Sequence, residues 1–181
     1  MTTDQQFEQA LQSCRALFAK KLHDYGAAWR LLRPESLTDQ IFIKAKRIRS
    51  LQIKGEEHAA VAGEGILPEF IGIVNYGLIG LIQLQLGPTE VLDISEEQAL
   101  RLYDAASARA FDLMRQKNAD YGEAWRDMRL SSYVDLILMK VLRVKQIEDL
   151  CGHTLVSEGI DANYLDMVNY SVFGIIKLTE A

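Results

Sequence analysis

The sequence lacks the residues and spacings that several common kinds of protein need. Its two cysteines, Cys14 and Cys151, have neither the number nor the spacing of a disulfide framework or a zinc motif. It contains no P-loop and no pattern typical of a Ser-His-Asp triad. The net charge of −5 argues against nucleic acid as a partner without excluding it. No stretch shows the strict alternation of a half-buried strand, which favours an all-helical fold.

Membrane and export signals are also lacking. The chain of 181 residues is 49% hydrophobic and 25% charged, as in soluble globular proteins. Its first ten residues have no apolar core of a signal peptide. The most apolar stretch, residues 67–86, has the length of a membrane span. It is interrupted by Pro68, Glu69, Asn75, Gln83 and Gln85. We therefore expect a buried core helix in a cytoplasmic protein without a membrane partner.

What the sequence does contain is one segment that occurs twice. Lys21–Arg30 and Lys117–Arg126 agree at seven of ten positions, with the shared pattern DYGxAWR, and they hold both tryptophans of the chain. Further Ser, Asp, Lys and Arg matches follow at an offset of 96, and Glu-Gly-Ile and Val-Asn-Tyr matches at an offset of 94. We interpret the chain as a tandem duplication of residues 1–92 and 93–181, together forming one compact domain.

Each repeat is predicted to contain three helices. The first helices should begin at capping boxes and end before a glycine in the DYG motif, near Tyr25 and Tyr121. The capping boxes are Thr3-x-x-Gln6 and Ser95-x-x-Gln98. The second helices should begin at similar boxes and end near Gly55 and Gly152. These boxes are Ser36-x-x-Asp39 and Ser132-x-x-Asp135.

The apolar third helices should pack the two repeats together. The first of them should end near Leu86 and the second at the C-terminus, and Gly72, Gly77 and Gly80 would allow a close approach between them. The predicted fold is an all-α, six-helix, internally duplicated bundle with pseudo-twofold symmetry. Such a fold resembles a fused homodimer, and the whole chain could itself form a homodimer.

The repeated DYGxAWR motif has a structural and a functional interpretation. In the first, glycine caps the helix, aspartate binds nearby amides, and the two aromatic residues pack in the core. In the second, an aromatic ring stacks on a base and the flanking cations hold a phosphate. The candidate substrate-binding residues in the second copy are Lys117, Asp120, Tyr121, Trp125 and Arg126.

The second helices carry a repeated pair of cations. Lys44 and Arg47 are three residues apart, as are Lys140 and Arg143, so each pair lies on one helix face. Two cations at this spacing suit a phosphate group. The alternative is a solvated basic face.

The third helix of the second repeat carries a stripe of polar residues. Glu158, Asp166 and Asn169 follow the helical period, which predicts Glu158 and Asp166 as catalytic residues and Asn169 as a substrate ligand. The two carboxylates are about 12 Å apart along a helix, too far to share one small ion. Glu158 and Asp161 are one turn apart and could share Mg²⁺.

The first repeat lacks the later acids of this stripe. It reads Glu64, Pro68, Gly72 and Asn75, so we expect it to be a scaffold and the second repeat to hold the site. The structural alternative for both repeats is a hydrogen bond between Asn75 and Asn169 across the pseudo-twofold.

These elements together resemble a known family. The pattern K-x-x-D-Y-G-x-x-W, the Lys-x-x-Arg helix and the Glu-led helix ending in Asn-Tyr are similar to the nucleotide modification associated domain 1 family. The resemblance covers both repeats and implies a role in handling or modifying nucleotides without a defined reaction. Acidic helices beside basic ones are also similar in style to the all-α nucleotide pyrophosphohydrolases, in which carboxylates hold Mg²⁺ and water attacks a phosphoanhydride.

Two functions from different classes are therefore expected. The first is a protein that binds a nucleotide or another phosphorylated small molecule, with Mg²⁺-dependent phosphoanhydride hydrolysis as a further step. The alternative is a non-catalytic helical interaction or scaffold module whose repeated residues maintain a pseudo-symmetric core.

Overall fold

A computed structural model describes residues 1–55, 65–153 and 158–180, and these form six α-helices, two short 3-10 helices and no strand. The first repeat contains α1 (Thr3–Tyr25), a 3-10 helix (Ala28–Leu31), α2 (Pro34–Lys54) and α3 (Ile66–Leu86). The second contains α4 (Glu96–Tyr121), a 3-10 helix (Ala124–Asp127), α5 (Leu130–Asp149) and α6 (Ile160–Thr179). The element order of one repeat is that of the other. This confirms the predicted all-α, internally duplicated six-helix fold.

The first helix of each repeat begins at a capping box. Ser95 and Gln98 form the predicted capping box of α4. In α1 the box lies one residue earlier than predicted, at Thr2 and Gln5. The displaced Thr3 forms a hydrogen bond with a side chain of the second repeat instead, since its hydroxyl donates to Glu123.

The starts of the second helices differ from the prediction. Both begin two residues earlier than the predicted boxes, and neither has a side-chain cap. Pro34 at the first position of α2 has the fixed φ that suits a helix start. The predicted capping residues Asp39 and Asp135 pair with cations across the pseudo-twofold instead.

These cross-repeat pairs are equivalent to each other. Lys145 Nζ lies 2.7 Å from Asp39 Oδ1, and an Arg49 nitrogen lies 3.2 Å from Asp135 Oδ1. Each pair joins α2 to α5, and the partners exchange under the offset of 96. Because all four side chains are partly solvated, each pair contributes at most about 1 kcal/mol to stability.

The centre of the fold is the contact between α3 and α6. Each of these helices is mostly buried and packs on the other and on the second helix of its own repeat. A Cβ on Gly77 would lie 2.6 Å from Val168 Cγ2, and one on Gly174 would lie 2.9 Å from the ring of Phe70. Glycine at these positions lets the two backbones approach closely. Gly72 does not serve this contact, because it faces Lys44 of α2.

Helix α3 is also the one described helix with the length and composition of a membrane span. Within its apolar window, 67% of the residues are buried inside the protein. A core helix has such burial because its apolar side chains pack on neighbouring helices.

The two kinds of glycine in α3 should respond differently to alanine. In Gly77→Ala the new methyl group meets the branched, buried Val168, so we expect a loss of about 1–3 kcal/mol in unfolding free energy. In Gly72→Ala the methyl group meets only the flexible end of Lys44. That control should be neutral or stabilising by up to about 1 kcal/mol. Urea unfolding measures both changes, and equal effects would contradict the assignment of Gly77 to the helix contact.

Candidate ligand-binding site

Two cavities lie at equivalent places in the two repeats. Each is bounded by the end of a first helix, the following 3-10 helix and the middle of a third helix. The first-repeat cavity measures about 530 Å³ and the second-repeat cavity about 350 Å³. Seven pairs of identical residues line both: Lys21 and Lys117, Tyr25 and Tyr121, Gly26 and Gly122, Ala28 and Ala124, Trp29 and Trp125, Asn75 and Asn169, and Tyr76 and Tyr170. The duplicated motif therefore builds two cavities that share no residue.

A polar side chain of the third helix holds the 3-10 turn in place. In the first repeat, Gln83 Nε2 donates to the carbonyl oxygens of Arg30 at 3.0 Å and Leu32 at 2.7 Å. In the second, Lys177 Nζ donates to the equivalent carbonyls, including that of Arg126 at 2.7 Å. Gly122 opens the turn with φ of 59°, a value that glycine adopts without strain. The turn, and with it the tryptophan, is thereby fixed to the core.

The motif tryptophan and arginine of the second repeat are packed against the protein. Trp125 is buried and stacks on Phe173, with ring centroids 4.5 Å apart, while the Arg126 guanidinium lies 4.4 Å from the indole centroid. The same guanidinium donates to Thr3 Oγ1 at 2.8 Å and Gln6 Oε1 at 2.7 Å. These contacts favour the structural interpretation of Trp125 and Arg126.

The equivalent arginine of the first repeat also forms hydrogen bonds within the protein. Arg30 is buried, pairs with Asp93 at 2.8 Å and donates to the carbonyl oxygen of Gly87 at 2.7 Å. It also donates to Gln83, the residue that holds the turn. Neither motif arginine is available to a phosphate without breaking these contacts.

One edge of each tryptophan has no hydrogen bond. The indole Nε1 atoms of Trp29 and Trp125 are buried, and neither has a partner in the described part of the chain. An indole N–H is a donor only, and a buried donor without a partner costs about 1–3 kcal/mol. Each of these donors belongs to a tryptophan that lines one of the cavities, and neither is satisfied within the described structure.

A buried ion-pair cluster lies at one side of the second-repeat cavity. Asp166 is 5% exposed, and its carboxylate lies 2.5 Å from Lys117 Nζ and 2.7 Å from Lys140 Nζ. Burial alone lowers the pKa of Lys117, but the hydrogen bond and charge of Asp166 outweigh it, and the pKa is raised. Glu158 lies 3.7 Å from Lys140. Four of the predicted site residues are thus brought together, with the two lysines already paired to carboxylates.

The buried amide of Asn169 is the unexpected feature of this cavity. Asn169 is 5% exposed, and neither its Nδ2 nor its Oδ1 has a hydrogen-bond partner among the described residues. Buried side-chain amides nearly always have partners, so a group with both atoms unsatisfied requires an explanation.

The equivalent amide in the first repeat is satisfied. Asn75 Nδ2 donates to the carbonyl oxygen of Cys14 at 3.2 Å, and the Tyr103 hydroxyl donates to Asn75 Oδ1 at 2.7 Å. At an offset of 96, the counterpart of Tyr103 is Phe7, which has no hydroxyl. The predicted hydrogen bond between Asn75 and Asn169 is therefore wrong, because Asn75 bonds to residues of α1 and α4. Phe7 has no hydroxyl that could donate to Asn169 as Tyr103 donates to Asn75.

Several predicted residues do not reach the second-repeat cavity. Asp120 and Arg143 are exposed and do not line it. Asp161 pairs with Arg109 at 3.3 Å and lines a separate depression. Tyr121 does line it, with 76% of its surface exposed at the entrance.

The predicted cations of the first repeat are paired with an acid that the sequence interpretation missed. Lys44 Nζ lies 3.3 Å and Arg47 3.5 Å from oxygens of Glu69, which lines the first-repeat cavity. The stripe positions Pro68 and Gly72 carry no acid, as expected, but Glu69 supplies a carboxylate one turn before Gly72. Aligning the repeats at an offset of 94 would have placed it opposite Asn163. Glu64 lies outside the described residues.

A divalent cation site is less well supported by these contacts. No group of three His, Cys, Asp or Glu side chains with metal-binding geometry occurs within residues 1–55, 65–153 and 158–180. Asp161 and Asp166 both have basic partners. The predicted pair of Glu158 and Asp161 would need a further ligand.

The fold and the paired cavities define an internally duplicated, all-helical protein in which the two repeats carry equivalent ligand-sized cavities. The family model of nucleotide modification associated domain 1 matches the chain twice, over residues 21–84 and 117–178. The chain belongs to this family, and both matches include the cavity residues from the motif lysine to the third helix. Neither a curated protein nor a solved structure matches the chain.

The ion-pair cluster should be structural as well as part of the cavity. Asp166→Ala leaves Lys140, which is 8% exposed, without its closest counter-ion, so we expect a loss of about 3 kcal/mol in unfolding free energy. Asp161→Ala breaks an exposed pair and should cost less than about 1 kcal/mol. Chemical unfolding of both variants tests this, and a loss below 1 kcal/mol for Asp166→Ala would show that Lys140 does not depend on it.

Proposed function

We propose that this protein binds a nucleotide in the second-repeat cavity, with the edge of the base against Asn169. The observation that carries the proposal is the buried Asn169 amide, whose donor and acceptor both lack partners in the described structure. A bound ligand with one acceptor and one donor side by side would satisfy both.

Nucleobases have this complementary edge. A side-chain amide presents a donor and an acceptor in one plane and pairs with two adjacent groups of a base, as asparagine does with adenine. Enzymes that accept single bases recognise them in the same manner, through the hydrogen-bonding edge and an apolar surround. Trp125, whose Nε1 donor also has no partner among the described residues, lines the same cavity.

The remainder of the cavity supports a flat ligand with a charged end. Its walls include Met114, Tyr170 and Phe173, and the exposed Tyr121 ring at the entrance can stack on a base. Lys117 is 47% exposed despite its pair with Asp166, so its ammonium group can also contact a phosphate. The volume of about 350 Å³ is within the range of small-molecule sites.

A scaffold function explains fewer of these features. Packing of Trp125, the bonds of Arg126 and the contact between α3 and α6 suit either function. A scaffold has no use for a buried amide with two unsatisfied atoms, because leucine would fill the same position without that cost.

Paired substitutions of the two asparagines test the proposal. Asn169→Leu removes no hydrogen bond, so unfolding free energy should stay the same or rise. Asn75→Leu deprives Tyr103 and the Cys14 carbonyl of their partner and should cost about 1–3 kcal/mol. Nucleoside monophosphates and triphosphates of each base are then titrated by calorimetry against both variants and the parent.

The expected result is binding of at least one nucleotide to the parent and to Asn75→Leu, with at least about a tenfold loss in Asn169→Leu. At a hundredfold excess over Kd, the same nucleotide should stabilise the parent by about 2.7 kcal/mol. Equal affinity in parent and Asn169→Leu would remove the base-reading role, and no nucleotide binding at all would favour the scaffold function.

Mg²⁺-dependent hydrolysis of a phosphoanhydride is a further step of this proposal, and the described residues contain no group of three acidic, His or Cys side chains that would hold the ion without the ligand's phosphates. If the second repeat holds the ion, Glu158→Gln should abolish Mg²⁺-dependent pyrophosphate release from nucleoside triphosphates, and Glu64→Gln should leave most of it. Equal losses would mean that both repeats contribute.

A further inference from the structure

We infer that the first-repeat cavity is a second ligand site, which binds a small organic anion between Lys21 and Lys44. The inference comes from comparing the two repeats within one chain, and it does not depend on nucleotide binding in the second-repeat cavity.

The second repeat shows where the anion would lie. There the Asp166 carboxylate joins Lys117 and Lys140, at 2.5 Å and 2.7 Å. The equivalent of Asp166 in the first repeat is Gly72, while the lysines are retained as Lys21 and Lys44. The two cations remain, and the carboxylate between them has been lost.

Lys21 and Lys44 make different contacts from their counterparts in the second repeat. Lys44 lies across Gly72, so that a Cβ there would be 2.6 Å from its Cε, and its Nζ reaches Glu69 at the longer distance of 3.3 Å. Lys21 makes no hydrogen bond or ion pair with any residue that the structure describes. Arg47 shares Glu69 with Lys44.

The charges of the two cavities consequently differ. The lining of the second-repeat cavity holds one lysine and one carboxylate, Lys117 and Asp166, whereas that of the first holds two lysines, Lys21 and Lys44, and the single carboxylate of Glu69. A carboxylate or phosphate group of a ligand would restore the balance with charge-assisted hydrogen bonds to both lysines.

The walls determine the body of the ligand. Phe18, Trp29 and Tyr76 give the cavity aromatic surfaces, and the Nε1 donor of Trp29 has no partner within the described residues. The amide of Asn75 is already bonded to the protein and cannot read a base edge. The cavity therefore suits an aromatic carboxylate or aryl phosphate, recognised by its charge and ring rather than by a hydrogen-bonding edge.

Replacing the lost carboxylate tests this. In Gly72→Asp the new side chain should pair with Lys21 and Lys44 and occupy the anion position. Phenyl phosphate, benzoate and inorganic phosphate are titrated separately, and the indole N–H signals of Trp29 and Trp125 are followed by NMR. These two signals separate the two cavities, so failure here is distinct from failure of nucleotide binding.

We expect phenyl phosphate or benzoate to shift the Trp29 signal, with affinity reduced at least about tenfold in Gly72→Asp. Lys21→Met, at an exposed position that does not disturb the core, should show a similar loss, and Gly72→Asn a smaller loss than Gly72→Asp because it adds bulk without charge. Whichever of phenyl phosphate and benzoate binds with the higher affinity shows whether the site prefers a phosphate or a carboxylate group. Shifts confined to Trp125, equal affinity in parent and Gly72→Asp, or binding of inorganic phosphate alone would overturn the inference.

Discussion

The architecture of both cavities depends on one interaction, in which a polar side chain of a core helix binds the carbonyl groups of a tight turn. The carbonyls of a short 3-10 helix have few partners of their own, and a buried carbonyl without a partner destabilises the fold. Gln83 and Lys177 supply those partners from the core helices α3 and α6. Because the donors belong to the core, the turn cannot move independently of it, and the tryptophan in the turn becomes a fixed wall.

Duplication has preserved this support while the polar contents of the two cavities have diverged. The exchange of Tyr103 for Phe7 removes one hydroxyl and leaves the Asn169 amide without a partner among the described residues. The exchange of Asp166 for Gly72 removes one carboxylate and leaves Lys21 without a counter-ion in the described structure. Each change affects a single side chain. One cavity is left with the Asn169 amide and the other with the Lys21 ammonium group, and neither has a partner among the described residues.

The interface between α2 and α5 shows the same divergence. On one side the Thr38 hydroxyl donates to Glu148 at 2.8 Å and lies 2.7 Å from the Tyr164 hydroxyl. Burial raises the pKa of Glu148, while the hydrogen bond from Thr38 opposes that rise. Val134 and Phe70 occupy the positions equivalent to Thr38 and Tyr164, so the second side lacks both hydroxyls.

The sequence predicted the features that depend on local chemistry. The repeat, the glycine ends of α1 and α4 and the central position of α3 and α6 follow from identity, φ preference and hydrophobic pattern, and the structure confirms them. The positions of Asp39 and Asp135 were misread, because a Ser-x-x-Asp pattern also fits an interior turn of a helix. The true start at Pro34 was a local signal that the pattern concealed.

The features of the site that the sequence left open depend on contacts between distant segments. The Asn75 amide accepts a hydrogen bond from Tyr103, which belongs to the other repeat. A comparison of the two third helices alone therefore could not show that the Asn169 amide has no partner in the described structure. Trp125 and Arg126 match a nucleotide cradle by residue type, but Phe173 and the start of α1 engage them. A symmetric homodimer would force both cavities to share every substitution. Fusion of the two copies in one chain removes that constraint, so each cavity can differ from the other in a single polar partner while both keep the same turn.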